Sequence, residues 1–325
     1  MQRRDRCLAC ERSRHRSATE RMCHVLMGGG LAAAILGLWA CTRTTIPVTL
    51  APPPTLMSIE PTPVVAPTAT LIPGDWPIGA SPNFTYAVVW TPAQQLVDVY
   101  QPAGITGSVV DALAYDQRDL RLTGGHTEFG SSMWVELIRP GGGTGWVNGW
   151  NLTEQFSADA FCDDPRIRDL ISRFQAAVTQ SDGEGLAALS SPKRGLVVRY
   201  FPKGGEAALS LTDVSLLFSS RAQFEWGIDP ESGRGLTGTF RDLVLPELNA
   251  VLEATPEATC NVLKIGDSAV PLAWPAEYTN LNFLALFTPP AEGASQYEWR
   301  AWGVGIEFVD GTPYVTVLVR FRGEI

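Results

Sequence analysis

The chain carries three histidines and six cysteines. Their positions decide which chemistries are open. His15 and His24 lie near the N-terminus, and His126 is the one histidine after residue 42. A thiolate–imidazole peptidase, a serine hydrolase triad and a zinc hydrolase each need a base or ligand set that this stretch lacks. Glycoside hydrolysis needs only two carboxyl groups about 5–9.5 Å apart. Glu225, Asp229, Glu231 and Asp242 fall together in a glycine-rich stretch and are the candidates for it. No Gly-Lys-Ser/Thr phosphate loop occurs. Cys7 and Cys10 form one Cys-x-x-Cys half-site, with His15 nearby. The second half-site would be Cys23 and His24, adjacent residues against an apolar run, so no metal site and no cofactor are expected. His126 reads as a solvated turn residue.

Charge is distributed unevenly along the chain. The net charge is −9. Residues 1–40 carry seven Arg and three acids, so they are basic, and the remainder is strongly acidic. An acidic body repels nucleic-acid backbones and anionic lipid head groups, so no nucleic-acid partner is expected. After the arginines comes an apolar run from Val25 to Ala40, then Leu38-Trp39-Ala40-Cys41 closes it. This order is that of an export signal. It resembles a bacterial lipoprotein signal peptide, which implies that residues 1–40 are the signal and that Cys41 receives the lipid. Trp39 stands where that family places a small residue. The alternative is an uncleaved signal anchor over Met22 to Thr42, long enough to cross a bilayer. Either way the basic side stays cytoplasmic, and the rest lies outside the membrane in the cell envelope.

Cys162 and Cys260 remain once Cys41 and the three upstream cysteines are set aside. An even pair in an oxidising compartment suggests a disulfide. It would close a loop of about 100 residues, worth up to about 4.7 kcal/mol in the chain-entropy account. The alternative is two buried thiols that never meet.

Residues 41–82 form the next segment. Ten prolines and eight threonines fall between residues 42 and 82. Proline at that density excludes helix and sheet interiors. At about 3.1 Å per residue the segment would reach on the order of 120 Å as a semi-rigid stalk.

From 83 to 156 short alternating runs are separated by turn residues. Strands are expected at Tyr86 to Trp90, Leu96 to Tyr100, Leu120 to Thr123, Met133 to Ile138 and Thr144 to Val147, with hairpin turns at Gly124-Gly125 and Gly141-Gly142-Gly143. This is the spacing of a small β barrel. Trp134, Glu136 and Ile138 should share one face of their strand, and Val135 and Leu137 the other.

The segment resembles the bacterial SH3b domain. The resemblance rests on Trp134-Val135-Glu136-Leu137, then Gly145-Trp146-Val147, then Trp150-Asn151-Leu152. Val97-Asp98-Val99-Tyr100, Gln101-Pro102-Ala103-Gly104 and Val109-Val110-Asp111-Ala112-Leu113 match upstream elements more loosely. The resemblance implies an SH3-like barrel that binds peptidoglycan or other envelope ligands without catalysis. Its binding residues would be the aromatics Tyr100, Tyr115, Trp134 and Trp150, since flat rings offer a large contact area at low entropic cost. Trp134 and Trp146 can equally be barrel core.

Residues 161–325 read as an α+β domain. Asp163-Asp164-Pro165 is a helix start, and Ile167, Leu170, Ile171, Phe174 and Val178 recur at helical spacing. Further helices are expected at Gly185 to Leu189, at Leu211 to Phe218 and from a Thr239 cap to Leu252, kinked at Pro246. Strands are expected at Leu196 to Phe201, Asn261 to Ile265, Asn282 to Phe287, Glu298 to Val309 and Pro313 to Phe321, and Phe224 to Trp226 should be extended. The order suggests a cystatin-like or nuclear-transport-factor-like cone, a helix on a curved antiparallel sheet. Trp226, Trp274, Tyr278, Trp299 and Trp302 would either line a pocket on that sheet or fill its core.

The expectation is thus a multi-domain chain: signal peptide, Pro/Thr-rich linker, small all-β barrel and α+β domain. Its partner would be peptidoglycan or an envelope protein, with the membrane reached through the lipid anchor. Two other readings stand beside it: a carboxylate-only wall glycosidase, and a structural or assembly subunit that binds an envelope protein.

Overall fold

The computed structural model describes residues 76–230 and 232–323. The expected signal segment, Cys41 and nearly all of the expected proline-rich stalk lie outside the described residues, as do Glu231, Glu324 and Ile325. Among the described residues no helix is long and apolar enough to cross a membrane.

The described chain is mostly β-sheet with few helices. Seven strands come first: β1 (Thr85–Val88), β2 (Leu96–Gln101), β3 (Ser108–Ala114), β4 (Leu120–Phe129), β5 (Ser132–Ile138), β6 (Thr144–Asn148) and β7 (Leu152–Glu154). They form one curled sheet in the order β3-β2-β6-β5-β4-β1-β7. Strand alternation explains its main core. Val97 and Val99 of β2 point inward, as do Val135 and Leu137 of β5, and they meet Tyr86, Leu113 and Leu122 there.

Gly124 and Gly125 do not turn the chain. They lie inside β4, at a register shift between Leu122 and His126. Gly124 sits at φ +91°, and a Cβ on Gly125 would come within 3.0 Å of Glu136. The glycines permit a bulge, and the hairpin closes later, at Gly130. His126 is accordingly a strand residue opposite Val135, not a turn residue. The Gly141–Gly143 turn forms where expected, with Arg139 N–H bonded to the Gly143 carbonyl at 3.0 Å.

The second part begins with α1 (Ala158–Asp163), α2 (Pro165–Thr179) and α3 (Gly183–Leu189). Asp164 caps α2 by accepting from Arg166 N–H, and Pro165 opens it. Then come β8 (Leu196–Arg199), β9 (Glu206–Leu209), α4 (Leu211–Ser215), the hairpin β10 (Phe224–Ile228) and β11 (Gly235–Gly238), and α5 (Leu245–Leu252). Thr239 caps the segment before α5, but its first turn, Phe240–Val244, is a π-helix, and the α-helix proper starts beside Pro246. Last are β12 (Glu257–Cys260), β13 (Asn282–Thr288), β14 (Arg300–Val309) and β15 (Thr312–Arg322).

Six of these strands form a sheet in the order β12-β13-β14-β15-β8-β9. It is mixed, not wholly antiparallel, because β8 runs parallel to β15. The expected strand at Asn261 to Ile265 is displaced. The strand ends at Cys260, and Asn261 leaves it at φ +54°. The Asn261 side chain then accepts from Phe283 N–H and donates to Asn282.

Both faces of this sheet are covered. On one, Phe174 of α2 and Leu248 of α5 pack with Trp302, Val304 and Leu318. On the other, Ala301, Val317, Val319 and Phe321 meet Trp299 and Tyr278, beneath the connection that carries Leu263, Leu272 and Trp274. Trp226, Tyr278, Trp299 and Trp302 are therefore core. Trp274 lines a cleft of about 790 Å³, and Trp299, though buried, borders a smaller one. Cys162, in α1, is disulfide-bonded to Cys260, at the end of β12.

Candidate ligand groove and the junction behind it

The outer face of β2 presents Leu96, Asp98 and Tyr100, because Val97 and Val99 are spent on the core. These three residues form one wall of a groove of about 270 Å³. Trp134, Ile105, Trp90 and Asn148 complete it. Trp134 lies across from Asn148 in the β5–β6 pairing. Its ring meets Tyr100 edge-on at 5.5 Å.

Trp134 is buried, in a small cluster with Trp146 and Ala103 that is separate from the main core of this sheet. It serves as the wall of the groove and not as a free ring. Trp150 is the exposed one, at 41%. It touches the groove through Trp90, which its ring meets edge-on at 6.3 Å. Tyr115 follows the end of β3, is half-buried and does not line the groove. Tyr100 and Trp134 are thus brought together, Trp150 stands at their margin and Tyr115 stands apart.

The groove has polar handles. The Tyr100 hydroxyl donates to Asp98 at 3.4 Å. Desolvation, then the Asp98 charge, raises the Tyr100 phenol above its ordinary value. The indole N–H groups of Trp90 and Trp134 are both buried without a hydrogen-bond partner. A buried donor left unpaired carries a desolvation cost.

Trp90 was not singled out by sequence. Its backbone is held at φ +55°, an unusual conformation for a bulky side chain. A hydrogen bond of 2.8 Å from its N–H to the Glu277 carbonyl ties it there. Its ring meets Tyr278 at 5.1 Å.

Behind the groove, Arg194 joins the two sheets. Its guanidinium lies over the rings of Trp90, at 4.6 Å, and Trp150, at 5.2 Å. It is ion-paired with Glu307, and it donates to the carbonyls of Trp150 and Leu152. Glu307 also accepts from the hydroxyls of Ser191 and Thr316. Nearby, Lys193 donates to the Leu152 carbonyl at 2.8 Å. Burial, reinforced by the Arg194 charge, pulls the Lys193 ammonium down to about 7. Glu154 caps the β14–β15 turn, accepting from the N–H groups of Asp310 and Gly311 at 2.6 and 2.9 Å. Burial raises the Glu154 carboxyl despite these two bonds.

Of the four acids considered for glycoside chemistry, three fall among the described residues. Glu225 is exposed on β10. Asp229 accepts from Arg322 at 3.3 Å and from Ser232 at 3.0 Å. Asp242 accepts from Thr239 at 2.8 Å, at the start of the π-helical turn. None of these three lines the cleft of about 790 Å³ that Trp274 walls, and Glu231 lies outside the described residues. Among the described residues no group of three or more His, Cys, Asp or Glu side chains is placed to hold a metal ion.

No protein-family model, curated protein or solved structure matches this chain.

Proposed function

We propose that the chain is a membrane-anchored envelope protein whose seven-stranded sheet is an SH3-like module that binds an extended peptide of the cell wall. In this reading Cys41 carries the anchor and the proline-rich segment is the stalk. The six-stranded sheet would be a cystatin-like cone. One observation carries the proposal: a single strand face, Leu96, Asp98 and Tyr100, confronts Trp134 and Trp90 across a groove. An extended peptide has apolar side chains for the rings and N–H donors for Asp98.

The test is co-sedimentation of the purified full chain, in detergent, with peptidoglycan sacculi. Tyr100→Ala and Ile105→Asp should each weaken pelleting by about tenfold, since central aromatic and apolar contacts dominate such interfaces. Trp150→Ala should weaken it less. If the wild-type chain stays in the supernatant, wall binding is wrong. Retention of the chain by an envelope protein instead would make it an assembly subunit.

A further inference from the structure

The proposed function makes no use of a cleft of about 790 Å³, which lies in the α+β part. Small-molecule sites commonly enclose about 300–1,000 Å³. Three pieces of chain wall the cleft: the turn at 201–205, the end of β10, and the strap at 270–277. Most of the lining is apolar, with Phe201, Leu272 and Trp274 among its residues. Ile228 and Val270 also line it and remain 65% and 40% exposed.

The wall is preformed. Trp274 stacks on Phe283 with ring centroids 4.2 Å apart, and its indole N–H donates to the Tyr278 carbonyl at 2.9 Å. Gly303 lies against the Trp274 ring, and a Cβ there would come within 2.5 Å of it.

One buried cation completes the lining. Arg199 is ion-paired with Glu206 at 2.8 Å and with Glu277 at 2.6 Å. Its guanidinium lies 5.1 Å from the centre of the Tyr278 ring. Its Nε–H is buried and has no hydrogen-bond partner. The charges at this spot balance: Arg199 and Lys203 against Glu206 and Glu277. An anionic ligand would meet two carboxylates already seated on the arginine. A cationic one would meet Arg199 and Lys203. Placing a net charge on this apolar lining is costly for either sign.

We propose that this cleft binds an uncharged apolar small molecule, the chemistry of a neutral acyl ester. Its apolar body lies against Trp274, Ile228 and Val270.

The experiment is photolabelling of the full chain, in detergent, with a ten-carbon acyl methyl ester bearing an alkyl diazirine, followed by peptide mapping. Label is expected in 227–230 and 270–277. Methyl decanoate should compete at least about tenfold better than decanoate or decylammonium, a difference of about 1.4 kcal/mol. Ile228→Asp and Val270→Asp should abolish labelling there without lowering the melting temperature, because both side chains are exposed. Label spread evenly over other exposed apolar residues, such as Leu216 and Val262, would overturn the proposal. Labelling unchanged in both variants would do the same, as would equal competition by the charged compounds. These readouts do not involve sacculi, so this proposal and the peptide-groove reading can fail separately.

Discussion

The two sheets use their faces differently. The seven-stranded sheet curls around one main core and leaves its other face accessible beside the small Trp134–Trp146 cluster, so β2 alternates between buried Val97 and Val99 and accessible Leu96, Asp98 and Tyr100. The six-stranded sheet is buried on both faces, and every residue of β14 after Arg300 is buried. A sheet with one free face can carry a groove on its strands. A sheet with none must place its cavity at its margins, and the large cleft is indeed walled by a turn, a hairpin end and a strap.

The sharpest test of this contrast compares two aromatic truncations. Trp302→Ala removes a fully buried ring between β14 and the helices, and should cost about 3–5 kcal/mol in denaturant unfolding. Tyr100→Ala, on the open face, should cost under about 1 kcal/mol. Similar losses would mean that the outer face of the first sheet is core as well.

The joint between the sheets comes next. Arg194→Met strands the Glu307 carboxylate in the interior, and breaking a buried pair this way costs about 3–5 kcal/mol. Arg194→Met combined with Glu307→Gln should recover part of that loss. If the double variant is no better than the single one, the stacking of Arg194 on Trp90 and Trp150 matters more than its charge.

Reduction of Cys162–Cys260 should lower stability by about 2–4 kcal/mol, read as a fall in melting temperature with reductant. The effect should vanish in Cys162→Ala/Cys260→Ala.

Lys193 gives a pH-dependent effect. Held down at about 7 in the folded chain and at its ordinary 10.5 when unfolded, it takes up a proton on unfolding between those values. Stability should therefore decline as pH falls from about 10.5 to 7, where the full penalty is reached. Lys193→Met should raise the melting temperature at pH 6.5 and have little effect at pH 10.5. An equal effect at both would show that Lys193 is charged in the folded state.

The smallest effect on stability is expected from Trp150→Ala, within about 0.5 kcal/mol by thermal unfolding, because the ring is exposed. A large loss would show that its stacking on Arg194 holds the joint together.

Much of the local structure was legible in the chain. Asp164-Pro165 marks the start of α2, and Asp310-Gly311 marks the β14–β15 hairpin. Cys162 and Cys260 could be paired once the four cysteines up to Cys41 were set aside. Trp150 was separable from Trp134 as the exposed candidate. Other signals were ambiguous, because one residue type serves two local geometries. Gly124-Gly125 has turn chemistry, yet here it relaxes a strand for a bulge. Asn261 opens a segment with strand-like composition, and its positive φ ends the strand instead.

Sequence by itself determined where strands alternate, where helices are capped, that His126 is the one histidine after residue 42, and which two cysteines were left to pair. Those are properties of neighbours along the chain, set by backbone sterics and side-chain period. Only the tertiary structure decided that Trp90, Trp150 and Arg194 stack together. It also decided that Trp134 walls a groove and that Trp274 walls a cleft while four other aromatics become core. These outcomes depend on which surfaces meet after distant segments pack, and a ring is driven against any apolar surface that fits it.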